Sequence, residues 1–277
     1  MVAGKFCRKN IIIMAMLIAV SACSSTSNKK KQQADLYFGA GTQSLITKDY
    51  TDALMNLTKA NELDPENAGI LTNLGMAYYF KGERDLAIKT LNQSIKIDEN
   101  NSDAKINLAS IYFNDGDIAQ AEKMYKLVLR DLTYEKQART FYNLGLIELR
   151  KKNTGAAENY FNRSVKEDSN YCPSLFEIGL LQYEKRQYSQ AYQNFKDATM
   201  GTCYESPAPH YHQALSLIGL RRINEARVKL DEVDARFGKS DFAVLARRKM
   251  MELNQIEQSQ MTEDTHSSRK MVESPDF

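Results

Sequence analysis

The stretch Ala68–Asn100, "AGILTNLGMAYYFKGERDLAIKTLNQSIKIDEN", decides how the chain is read. It holds two apolar segments separated by Lys81-Gly82-Glu83-Arg84, a run of turn-forming and polar residues. Small residues stand at Gly75 and Ala87, and a large apolar one at Leu91. Each belongs to a series that runs through the chain. Small residues recur at Gly41, Gly75, Ala109, Gly145, Gly179 and Ala214, at steps of 34, 34, 36, 34 and 35. Ala53, Ala87, Ala121, Ala157, Ala191 and Ala226 take the same steps, as do Leu57, Leu91, Tyr125, Phe161, Phe195 and Leu230. Three series in lockstep define six copies of one unit, and internal repeats of this period signify a stacked architecture. The small positions have a physical cause: paired helices approach closely only where side chains are short.

The unit resembles the tetratricopeptide repeat, a helix–turn–helix of about 34 residues. Leu74-Gly75, Tyr78, Ala87 and Leu91 occupy the family's places, and Asp64-Pro65 matches the proline that follows its second helix. Proline stops a helix because it lacks an amide donor and disfavours helical geometry in the residue before it. The resemblance implies an all-α fold, a right-handed superhelical solenoid of six repeats with a C-terminal capping helix. The repeats are placed at about 34–67, 68–101, 102–135, 138–171, 172–205 and 207–240, the cap at 241–258, and a disordered polar tail at 259–277.

Before the repeats, Lys5, Arg8 and Lys9 precede an apolar run from Ile11 to Val20. About ten residues are too few to span a bilayer as a helix, which needs about 20. Basic start, short apolar core and small residues at the end read as a secretory signal peptide over 1–22. Val20-Ser21-Ala22-Cys23 resembles the bacterial lipobox, which implies that Cys23 is acylated, palmitate included, and begins the mature protein. Ser24, where an aspartate would imply retention at the inner membrane, implies the outer membrane and its periplasmic face. Residues 24–33 read as a solvated tether reaching roughly 35 Å when extended.

Charge and chemistry narrow the function. Three of the 37 basic residues lie in the leader, so the mature chain sets 34 against 35 acidic residues, a formal charge of −1. That is no footprint for nucleic acid. Of three histidines, His210 and His212 point to different faces of one helix and His266 lies in the tail. No phosphate loop, nucleophile elbow or zinc-spacing motif occurs. We therefore expect a binding protein, not an enzyme, with no cofactor, no metal and no small-molecule substrate.

Two cysteines remain after the leader and Cys23. Cys172 opens the first helix of repeat five and Cys203 lies just beyond its second. Antiparallel helices bring these ends together, so an oxidising compartment favours a disulfide closing a loop of about 30 residues. The alternative is two reduced, buried thiols.

First helices of successive repeats line a groove in such solenoids. Asn73, Asn107 and Asn143 each stand two before the small position, and the series lapses at Gly39, Glu177 and His212. A carboxamide both donates and accepts, so stacked asparagines suit the main chain of an extended peptide. The alternative is that they bond neighbouring helices. Around them the register places Phe38, Met76, Tyr79, Ile106, Phe113, Tyr142, Leu146, Phe176, Leu180, Tyr183 and Tyr211 toward the groove. Large apolar surface marks a binding site, unless neighbouring repeats bury it. An apolar or amphipathic partner segment is expected rather than an acidic C-terminal tail.

Lipobox, tether, six repeats and a paired-cysteine repeat together resemble the type IV pilus biogenesis and stability lipoproteins, the PilW/PilF pilotin family. The resemblance implies an outer-membrane lipoprotein that localises and assembles the secretin ring, hence pilus (fimbrium) biogenesis, with secretin subunits or other pilus assembly proteins as partners. A lipoprotein of the outer-membrane β-barrel assembly machinery and a periplasmic scaffold for peptidoglycan hydrolases are the competing readings.

Overall fold

A computed structural model describes residues 28–200 and 203–272, with side chains to residue 262. Among the described residues there are thirteen α-helices and no strands. They fall into two compact units, divided between Glu135 and Lys136. The first holds α1 (28–46), α2 (Tyr50–Leu63), α3 (Ala68–Phe80), α4 (Arg84–Ile97), α5 (Ser102–Asn114) and α6 (Ile118–Val128). The second holds α7 (Gln137–Arg150), α8 (Thr154–Glu167), α9 (Cys172–Glu184), α10 (Tyr188–Ala198), α11 (Pro207–Gly219), α12 (Ile223–Phe237) and α13 (Asp241–Val272).

Local chemistry sets the helix starts. Asn67 accepts from the amides of Gly69 and Ile70, Asn101 from Ala104, Asp117 from Gln120 and Asn153 from Ala156. Each satisfies a donor that the first turn leaves orphaned. α9 and α11 begin instead with a proline in the first turn, where no amide is needed. Between the helices of every repeat one residue is left-handed: Lys48, Gly82, Gly116, Lys152, Arg186 and Arg221, with φ between 59° and 86°. Their spacing repeats the steps of the core series.

The core is the three series. All six alanines of the second series are fully buried, and Leu57, Leu91, Tyr125, Phe161, Phe195 and Leu230 are at most 1% exposed. Leu57, Leu91, Phe161 and Phe195 lie under the glycines of their partner helices, Gly41, Gly75, Gly145 and Gly179. A Cβ on Gly75 would stand 2.8 Å from Leu91 Cγ, and one on Gly179 would stand 2.6 Å from Phe195 Cε1. Buried hydroxyls tie helix ends across the stack: Ser94 donates to the Ala68 carbonyl at 2.7 Å, and Ser164 to that of Ala138 at 2.8 Å.

Two boundaries differ from the sequence expectation. Residues 28–33, read as tether, are already helical, because Lys29 to Gln33 are good helix formers with no glycine or proline among them. At the other end α13 runs on to Val272, so 259–272 are helical and not a disordered tail. No glycine or proline interrupts 241–272, and the packed start of α13 supplies the nucleus from which the helix propagates. Its first half caps the second unit: Ala246 and Leu253 pack with Leu230, Val233, Tyr211 and Ala214. No described helix is long and apolar enough to cross a membrane. The leader and Cys23 lie outside the described residues.

Candidate peptide-binding surface

In the first unit the surface belongs to α1, α3 and α5. Asn73 spends one donor inside the protein, its Nδ2 donating to Thr42 Oγ1 at 2.8 Å. Met76 and Tyr79 are half-buried against the cluster of Ala87, Leu91, Ala104, Leu108 and Ile111. Asn114 Nδ2 donates to Tyr79 Oη at 2.8 Å, fixing that ring. Asn107, Phe113 and Phe38 are also half-buried. Ile106 corrects the expectation: it is wholly buried and belongs to the core. It shares its register position with Thr72, also buried; side chains this short end beneath the neighbouring helix.

In the second unit α7, α9 and α11 present longer side chains at the same register. Tyr142 and Phe176, equivalent to Ile106, reach far enough to remain half-exposed, as do Leu146, Leu180 and Tyr183. Tyr211 does not. It is 7% exposed, covered by α13, with its ring 5.7 Å from that of Phe242. The Tyr142 ring lies 5.8 Å from Tyr171 and 5.9 Å from Phe161. Phe176 lies 5.6 Å from Phe195 and 5.3 Å from His212. The result is two aromatic groups on this face, one of Tyr142, Tyr171 and Phe161 and one of Phe176, Phe195 and His212.

Polar groups on this face are few and poorly matched. Asn143 Nδ2 is buried with no hydrogen-bond partner among the described residues. Glu177, where three other repeats carry asparagine, is half-buried, and burial pushes its carboxyl above the usual range. The Tyr142 hydroxyl is pushed up to about 12, chiefly by burial and then by the charges of Glu177 and Tyr171. His212 Nδ1 donates to the Ala208 carbonyl at 2.9 Å, and burial lowers its pKa. The three asparagines are thus not equivalent, since Asn73 is engaged and Asn143 is not. The sequence shows Glu177 only as a lapse in the asparagine series and does not single out Tyr171; the signal is an acid standing in an asparagine register.

Cys172, buried at the first turn of α9, is paired with Cys203, the Cα atoms 5.9 Å apart. Among the described residues no three His, Cys, Asp or Glu side chains converge as a metal site.

With this geometry in view, similarity to known proteins is informative. Models of the tetratricopeptide repeat match residues 45–100, 82–145 and 138–171. Together with the helical hairpins and their common register, this shows tetratricopeptide repeats over these residues and an all-α fold of that kind. Its repeat region is homologous to the type IV pilus assembly protein PilF of Pseudomonas aeruginosa, 25% identical over 170 residues, 61% of this chain and 68% of PilF. The solved structure of Pseudomonas aeruginosa PilF superposes with a TM-score of 0.68 at 21% identity, covering 80% of this chain and 98% of that one. The crystal structure of PilW, a widely conserved type IV pilus biogenesis factor, gives 0.62 at 20% identity, covering 79% and 98%.

Proposed function

We propose that this chain is a pilotin of type IV pilus biogenesis. Acyl chains on Cys23 hold it at the periplasmic face of the outer membrane, and its repeats engage a segment of a secretin subunit. Delivery to the membrane then lets subunits oligomerise into the ring through which pili emerge. Two or more acyl chains give a stable anchor where one gives a reversible one. The observation that carries the reading is the homology to PilF across the repeat region, joined by a fold that matches almost the whole length of the PilF structure. The aromatic side chains of α7 and α9 supply the chemistry, since half-exposed rings such as Tyr142, Phe176 and Tyr183 are effective interface anchors. Oxidised Cys172–Cys203 would hold the start of α9 in a compartment that maintains disulfides.

The test is a crosslinking pull-down of the native lipoprotein from outer membranes, quantified for the secretin and for β-barrel assembly subunits, beside a Cys23→Ala control. Secretin enriched with the wild type and lost with Cys23→Ala is the expected result, accompanied by loss of surface pili on deletion. Enrichment of β-barrel assembly subunits or peptidoglycan hydrolases without secretin overturns the pilotin role.

A further inference from the structure

We infer that Glu177 receives a lysine or arginine side chain from the segment that binds the second unit, so that this segment is apolar with a cation at a fixed position. The inference rests on the reading that this face of the repeats binds a protein segment, and it adds the chemistry of what is bound.

The argument begins with a comparison inside the molecule. Asn73 reaches back 31 residues to the hydroxyl of Thr42. Glu177 holds the same register in α9, and 31 residues before it stands Leu146, which offers no donor. Among the described residues Glu177 has neither a hydrogen bond nor an ion pair. A half-buried carboxylate without a partner is costly, and a structural role would have supplied one. Nearby polar groups share its condition. Asn143 Nδ2 is buried and unpartnered, and the hydroxyls of Tyr142 and Tyr171 bond to no described protein group. The site therefore has unused capacity of a particular kind: a carboxylate acceptor close enough to Tyr142 for its charge to act on that hydroxyl, with the Tyr142 ring packed in turn on Tyr171. That combination suits a cation, which gains from the carboxylate and from aromatic faces together. An acidic segment would meet repulsion here, and a wholly apolar one would leave the carboxylate buried and still unpaired.

The experiment is blind to which protein is the natural partner. A library of random twelve-residue peptides is selected against the immobilised mature chain, its Glu177→Gln variant and a Leu146→Asp variant that places a second acid on this face. Far-ultraviolet circular dichroism and melting confirm that each is folded. The expected result is that the wild type enriches apolar peptides containing lysine or arginine. Representative peptides should bind Glu177→Gln about tenfold to hundredfold more weakly, the range for hydrogen bonds to a charged group. Enrichment without basic residues, enrichment of acidic peptides, or equal affinity for Glu177→Gln overturns the inference. So does a wild type that enriches nothing above the bare support. None of these outcomes bears on the pilotin reading, which stands or falls with secretin in the pull-down.

Discussion

Asn73 Nδ2 and Thr42 Oγ1 meet at 2.8 Å, linking α3 to α1, and Thr42 in turn donates to the Phe38 carbonyl at 2.8 Å. The bond joins consecutive repeats through their first helices. Thr42→Val keeps the shape and removes the acceptor, so it should cost about 1 kcal/mol, the usual net worth of such a bond. Asn73→Ala should cost a similar amount. The two losses should not add, because both remove one interaction. Urea denaturation of the two single variants and the double would decide this; full additivity would mean that the bond contributes nothing.

The Cys172–Cys203 pairing spans 31 residues, nearly one whole repeat. Cross-linking a loop of that length restricts the unfolded chain and is worth about 3–4 kcal/mol before strain. Oxidised protein should therefore melt well above reduced protein, and Cys172→Ala/Cys203→Ala should match the reduced form. Thiol titration of the unfolded, unreduced mature chain without its acylated cysteine should find no free thiol. Two titratable thiols in protein taken directly from the periplasm would contradict the bridge.

Much of the fold was legible because its determinants are local and repeated. Gly75 against Leu91 and Gly179 against Phe195 are the same contact, and the sequence spacing alone places them. The helix ends were harder. Nothing in the composition of 259–272 distinguishes a solvated helix from a coil; what decides is that a packed helix already runs into it. The surface was legible in register but not in burial. Ile106 and Tyr142 hold one position, yet the first ends beneath its neighbour and the second emerges. The state of Glu177 was hidden for a related reason, since it depends on which residue faces it from the preceding repeat.

The glycines of the small series should be intolerant of even one carbon. A Cβ at Gly179 would stand 2.6 Å from Phe195 Cε1, and that ring is fully buried with no room to retreat. Gly179→Ala should cost about 1–3 kcal/mol, the range for overpacking, despite the gain in helix propensity. Gly155, in the first turn of α8, is the control: nothing lies within 4 Å of its Cβ position. Gly155→Ala should be neutral or stabilise by up to about 1 kcal/mol. Chemical denaturation midpoints that moved equally for the two would refute the packing argument.

His212 gives the second unit a definite pH dependence. Its ring packs beside both Phe176 and Phe195, each 5.3 Å away, with Tyr211 at 5.6 Å and Phe242 at 6.2 Å. Burial lowers its pKa, while its bond to the Ala208 carbonyl opposes the shift in part. His210 is lowered in the same direction, burial again leading, with the Tyr204 carbonyl and Glu232 opposing. A histidine lowered by folding binds fewer protons folded than unfolded. Stability is then fully present above the unfolded value, near 6.5, and falls as pH drops through it toward the folded value. Glu177 acts oppositely, because its raised pKa means that protonation relieves a folded-state penalty, in a window that begins near the ordinary carboxyl value and extends upward. Between pH 7.5 and 6 the histidines should dominate and the melting temperature should fall. His212→Gln, which cannot titrate, should be less stable than wild type at pH 7.5 through lost ring packing, and the gap should narrow as the pH falls. Parallel melting curves across that range would show that His212 stays neutral in both states or exposed in both, and would remove the burial argument.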